Sequence, residues 1–219
     1  MTYNLVFVRN GEQIQYNLNK SDILNLYRAV SNEGKPSDAV TWTLINRFAW
    51  LYPTYNNLSD LITAYSQTIN PRWFPDGDLY QNYIKGLSLQ DKKRAQEIAL
   101  GRVKNSQAKI NTIHPYYIDA VDKVLSGSKN PVPGAVHFIM SHASYEDSEE
   151  KAKELQKEFA LNRTDLYEPI YYKSSKYGNN WFFSVPNSSK FSIKIIKEKS
   201  YAPMLFMLYG GLVKFLGNS

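Results

Sequence analysis

The chain has 219 residues and is 43% hydrophobic, long enough to bury a core as one domain or as one domain with an appendage. It contains no cysteine, which excludes disulfides, thiolate nucleophiles and cysteine-ligated zinc. Its 26 Lys and Arg against 20 Asp and Glu leave a net charge of +6, which favours a polyanionic partner such as nucleic acid, anionic lipid or the bacterial wall without choosing among them.

Met1 to Asn10 alternates like a strand and lacks the basic start, apolar stretch and small-residue cleavage site of a secretory leader. Synthesis in the cytoplasm is therefore expected, with export left to another device. Residues 3–18 alternate around Asn10-Gly11, a dipeptide suited to a tight turn, and predict a β-hairpin, read as an appendage over 1–20. From Ser21, the expected N-cap, the residues Ile23, Leu24, Tyr27, Ala29 and Val30 recur at helical spacing to Glu33-Gly34. A second helix, Asp38 to Leu51, is too apolar all round for a surface position and is expected at the centre. Asn57-Leu58-Ser59 opens a third, while 66–84, with Pro71, Trp73, Pro75 and Asp76-Gly77, reads as an aromatic-rich loop.

Ser88 caps a further helix to about Val103, and Pro115 introduces one from Tyr116 to Leu125, closed by Gly127. After Asn130-Pro131-Val132-Pro133-Gly134, the run Ala135 to Ile139 predicts a strand. Residues 145–168, with eight acidic and four basic side chains, predict a solvated helix to about Leu161. Ile170 to Lys173, Trp181 to Val185 and Phe191 to Ile196 read as strands. The apolar stretch 201–217 is too short for a membrane span and reads as a packed terminal element or as a docking segment for membrane or virion.

His114, His137 and His142 are the only imidazoles, and no His-Glu-x-x-His run, G-x-S-x-G elbow or phosphate-binding glycine loop occurs. No metal and no cofactor is expected. Glu33 is distinctive because it ends a helix, where the negative end of the macrodipole disfavours a charged carboxylate and suits a general acid. A solvated helix end is the plainer reading of the same residue, and the local pattern does not choose between them. Lys85 to Lys109 carries seven basic and two acidic residues and follows Trp73, Phe74, Tyr80 and Tyr83, a combination that suits stacking on sugars or bases beside cations, or a packed loop with a solvated helix.

The runs Ala29 to Gly34, Ala39 to Arg47, Tyr65-Ser66-Gln67, Val124 to Gly127 and Pro133 to Phe138 resemble, in this order, the SleB-like cell wall hydrolases of the spore-cortex lytic enzyme type. The likeness covers about residues 23–142, with a weaker match at Gly178 to Phe183. The resemblance implies an α+β, mainly α fold, a lysozyme-like helical lobe with short strands at the N-terminus and in the C-terminal third. That domain would span 21–200 with an insertion over 68–113, ahead of the apolar segment 201–219.

The resemblance further implies lytic transglycosylase action on peptidoglycan with Glu33 as the acid. Ser66 and Gln67 would line the cleft, with Trp73 from the aromatic loop, and Gly134, Ala135, His137 and Phe138 would form the opposite wall. Asn46 and Arg47 fit either a structural or a cleft role. The chain departs from the family pattern at Thr68 and Val136 and in the insertion. Two alternatives stand: a muramidase or glucosaminidase using a second acid among Asp38, Asp60, Asp76 and Asp78, or a non-catalytic wall- or nucleic-acid-binding virion protein. The leading reading expects a monomer acting on peptidoglycan at the cell wall or in the periplasm, of phage-lysin type, with no nucleic acid partner.

Overall fold

The structure, a computed structural model, describes residues 2–9, 11–33, 35–140, 173–178, 180–184 and 193–198. Within them the chain is α+β and mainly helical, with two three-stranded antiparallel sheets. Strands β1 (Thr2–Arg9) and β2 (Glu12–Leu18) form the expected hairpin, with Tyr3 opposite Leu18 and Arg9 opposite Glu12. Gly11 takes φ +84 in its turn, a left-handed conformation that glycine adopts without steric cost. The hairpin, read from the sequence as an appendage, buries Leu5, Phe7 and Leu18 in the main core. The Phe7 ring meets Phe48 and Tyr52 edge to face.

Helix α1 (Lys20–Glu33) follows directly. Its cap is Asn19 rather than the expected Ser21: Asn19 Oδ1 accepts the Asp22 amide and Asp22 Oδ2 accepts the Asn19 amide, a reciprocal capping box. Asp22 is buried and also accepts the Tyr16 hydroxyl from β2 and the Ser59 amide. Helix α2 (Ser37–Leu51) is the expected central helix, buried along nearly all its length. Each fully enclosed side chain such as Ile45 or Phe48 contributes about 1.5–3 kcal/mol.

Helix α3 (Leu58–Tyr65), capped by Asn57, packs beside α1. Because Ser59 meets Asp22 and Asn25 near the start of α1, and Ser66 meets Glu33 at its end, the two helices run in the same direction. The stretch 66–84 is not all loop. It holds a 3-10 turn at Pro71–Trp73 and helix α4 (Asp78–Ile84), and a side chain on Gly77 between them would collide with the carbonyls of Pro71 and Arg72. Helix α5 (Leu89–Ser106) packs on this segment and on α1. Tyr80, Ala95 and Ala99 give this lobe a small cluster of its own.

Helix α6 (Pro115–Leu125) returns to the main core through Val121, Val124 and Leu125. Strand β3 (Ala135–Met140) lies where expected and pairs with β5 (Asn180–Ser184), which pairs in turn with β4 (Lys173–Tyr177). Strand β6 (Lys194–Glu198) joins the N-terminal hairpin through β1. Of the expected strand Ile170 to Lys173, only Lys173 is among the described residues, where β4 extends to Tyr177, and β6 extends two residues past the expected Ile196, because ladder pairing rather than apolar content carries them on. The expected helix in 145–168, the segment 201–217, Gly34 and His142 lie outside the described residues. No helix among the described residues is long and apolar enough to cross a membrane.

Candidate active site

Glu33 is the last residue of α1 and is half-buried. Ser66, which ends α3, donates from Oγ to Glu33 Oε1 at 2.8 Å, and the same hydroxyl lies 2.8 Å from Thr68 Oγ1. Hydroxyls both donate and accept, so this pair can follow a carboxyl group through loss and gain of a proton by rotating. The helix end disfavours the charged carboxylate, while the Ser66 donor favours it. Gln67, half-buried between the two hydroxyl residues, makes no hydrogen bond among the described residues.

The segment after Glu33 is fixed from two sides. Asn180 of β5 donates its side-chain amide to the Lys35 carbonyl at 3.2 Å, and Gly178 packs close against Pro36. The Lys35 ammonium lies 4.5 Å from the centre of the Tyr116 ring on α6. Gly178 and Asn180 therefore brace the chain next to the candidate acid.

Residues of α2 anchor the wall expected from 134–138. Asn46 is buried and donates to the Val132 and Ala135 carbonyls at 3.2 and 2.9 Å, while its own carbonyl accepts from Asn130. Its role is structural, since both ends of its amide are spent on the turn. Arg47, also buried, donates to the Val136 carbonyl at 3.2 Å and lies 3.4 Å from the centre of the Tyr65 ring. Its Nη1 stands 3.3 Å from His137 Nδ1. A guanidinium can only donate, so Nδ1 accepts and the imidazole carries its proton on Nε2. Arg47 thus ties His137 to Tyr65, the neighbour of Ser66.

The wall itself is narrower than expected. Gly134, at φ +74, and Ala135 are buried, and Phe138 stacks obliquely on Phe182, so His137 and Phe138 are the two residues of the four that retain exposed surface. Of the expected site residues, the structure brings Ser66 directly onto Glu33, with Gln67 next to Ser66 in the chain, and Arg47 links His137 to Tyr65, which precedes Ser66.

Trp73 stands in a second group. Its ring meets Tyr83 edge to face at 6.2 Å, and the Arg102 guanidinium of α5 lies over it at 5.1 Å. Arg102 sits within electrostatic range of both Glu33 and Tyr83, and burial holds its pKa below the ordinary arginine value. The sequence reading counted Arg102 only as one charge of a basic helix. Its register was the available signal: spacings of seven and three from Ala95 and Ala99 place it on the buried face of α5.

Three of the four second carboxylates considered from sequence are engaged elsewhere. Asp38 accepts the Ala39 amide and faces the Tyr177 hydroxyl, Asp60 caps α3 with Asn57, and Asp78 pairs with Arg72, whose guanidinium holds its carboxyl below the usual range. The chain matches no family model, no curated protein and no solved structure.

Proposed function

We propose that the chain is a SleB-like cell wall hydrolase, with a lysozyme-like helical lobe, that cleaves peptidoglycan glycan strands as a lytic transglycosylase with Glu33 as its one acid. The observation that carries this reading is the Ser66 hydroxyl on Glu33, 2.8 Å away, at a half-buried helix end. The order of sequence runs shared with that family supports it independently.

In this mechanism Glu33 gives its proton to the oxygen linking N-acetylmuramic acid to N-acetylglucosamine, and the bond from the muramyl C1 to that oxygen breaks. The muramyl C6 hydroxyl oxygen bonds to C1, and its proton passes to the Glu33 carboxylate, which restores the acid. Ser66 and Thr68 follow the change of charge by reorienting their hydroxyls. Hydrolysis by paired carboxylates needs a second acid that holds or replaces a water. Three of the four candidates, Asp38, Asp60 and Asp78, are engaged in hydrogen bonds at helix starts and an ion pair, which favours the route that needs none.

The site would meet its substrate at the bacterial wall. A zymogram on purified peptidoglycan tests the reading: a clearing zone from the wild-type chain and none from Glu33→Gln is expected, and the absence of clearing by wild type refutes it.

A further inference from the structure

The group formed by Trp73, Tyr83 and Arg102 has no task in the chemistry above. Arg102 is half-buried and, among the described residues, closes no ion pair. Burial disfavours its charge, which the Trp73 ring and the fields of Tyr83 and Glu33 offset only in part, so a further anion against the guanidinium would be favourable. The indole nitrogen of Trp73, beside it, is buried and has no hydrogen-bond partner. One cation therefore covers an indole ring whose buried N–H has no acceptor, and the cation lies within electrostatic range of the candidate acid.

We propose that Arg102 and Trp73 form a subsite that recognises a carboxylate on the glycan being cut, with the Trp73–Tyr83 pair against the sugar that bears it. The inference rests on the peptidoglycan reading and adds a substrate requirement to it: the muramyl residue is recognised through its acid. That acid is either the free lactyl carboxylate of a peptide-free strand or a carboxylate of the attached stem peptide. An arginine fits this role because its planar fork matches a carboxylate through two parallel hydrogen bonds. A neutral glycan such as chitin would leave the cation without a partner and bind more weakly.

The test is equilibrium binding to the full-length Glu33→Gln variant, which holds the site without turning substrate over. The probes are a peptide-free tetrasaccharide of alternating N-acetylglucosamine and N-acetylmuramic acid, its methyl ester, its stem-peptide-bearing counterpart and chitotetraose. The free acid or the stem-bearing form is expected to bind about tenfold or more tightly than the ester and chitotetraose, and whichever of the two prevails identifies the carboxylate. Adding Arg102→Met should remove that preference. Equal affinity for acid, ester, stem-bearing form and chitotetraose overturns the subsite while sparing the glycan reading. Binding of none of the four overturns both. The ester comparison uses an intact Arg102, so it decides the matter even if Arg102→Met fails to fold.

Discussion

Ser66 donates its hydroxyl to Glu33 across 33 residues of sequence, at 2.8 Å, where the ends of α1 and α3 meet. The contact follows from the other end of the same helix pair. Asp22 accepts the Ser59 amide there at 2.8 Å and the Tyr16 hydroxyl at 2.8 Å, which sets the two helices side by side and in register.

Ser66→Ala should lower turnover about tenfold with little change in melting temperature, the usual scale for a hydrogen bond to a charged group. Ser66→Thr should restore much of it by returning the hydroxyl. Clearing of a sacculus suspension measures both, and wild-type turnover in the alanine variant would show that the bond has no part in catalysis.

Asn46→Ala should act on stability rather than chemistry. It strips the Val132 and Ala135 carbonyls of their donor inside the core, at a cost of about 2 kcal/mol or more. The urea midpoint should fall with an unchanged slope. An unchanged midpoint would mean that the 130–135 turn is held by other contacts.

Alkali should destabilise the fold through two tyrosines. Burial first, and then the hydrogen bond to Asp22, pushes the Tyr16 pKa up; Tyr27 is raised by burial and by its bond to Asp122. Asp60 also acts on Tyr16, and Tyr3 on Tyr27, in the same direction. The folded chain keeps protons that the unfolded chain releases near the ordinary tyrosine value of about 10. Stability from this source is therefore complete below that pH and is lost as pH rises above it. Tyr27→Phe should melt lower than wild type at neutral pH yet decline less steeply above about pH 9. Parallel curves for the two proteins would contradict this.

The helices were legible in the sequence because their signals are local: apolar spacing in α1, α2 and α6, and side-chain caps at Asn57 and Ser88. Helix α4 escaped, being seven residues long and following a proline- and glycine-rich stretch that itself signals a loop. The part of β4 after Lys173 escaped because Ser-Ser-Lys-Tyr carries no apolar alternation, and its partner β5 defines it. At the candidate site, Glu33 and the pair Ser66-Gln67 were read from two separate runs of the family resemblance. The task of Asn46 and Arg47 was not, since their hydrogen-bond partners lie 84 to 90 residues further on. The register of α5 signalled that Arg102 is on the buried face, but its nearness to Glu33 required knowing that α5 docks on α1, which no short pattern announces.

Asp38→Asn, Asp60→Asn, Asp76→Asn and Asp78→Asn should each keep turnover within about threefold of wild type, because a single-carboxylate route asks nothing of them. Initial rates on purified sacculi check this. Loss comparable to that of Glu33→Gln in any one would assign a second catalytic carboxylate and with it a hydrolytic mechanism.

Mass spectrometry of sacculi digested by the wild-type chain and by Glu33→Gln tests the central claim most directly. Attack by the muramyl C6 hydroxyl leaves 1,6-anhydromuramic ends, one water lighter than hydrolytic fragments and inert to borohydride. The account predicts such ends from the wild-type chain and no fragments from the variant, with the two proteins melting at nearly the same temperature. Fragments that borohydride reduces throughout, or undiminished cleavage by a folded Glu33→Gln chain, would contradict it.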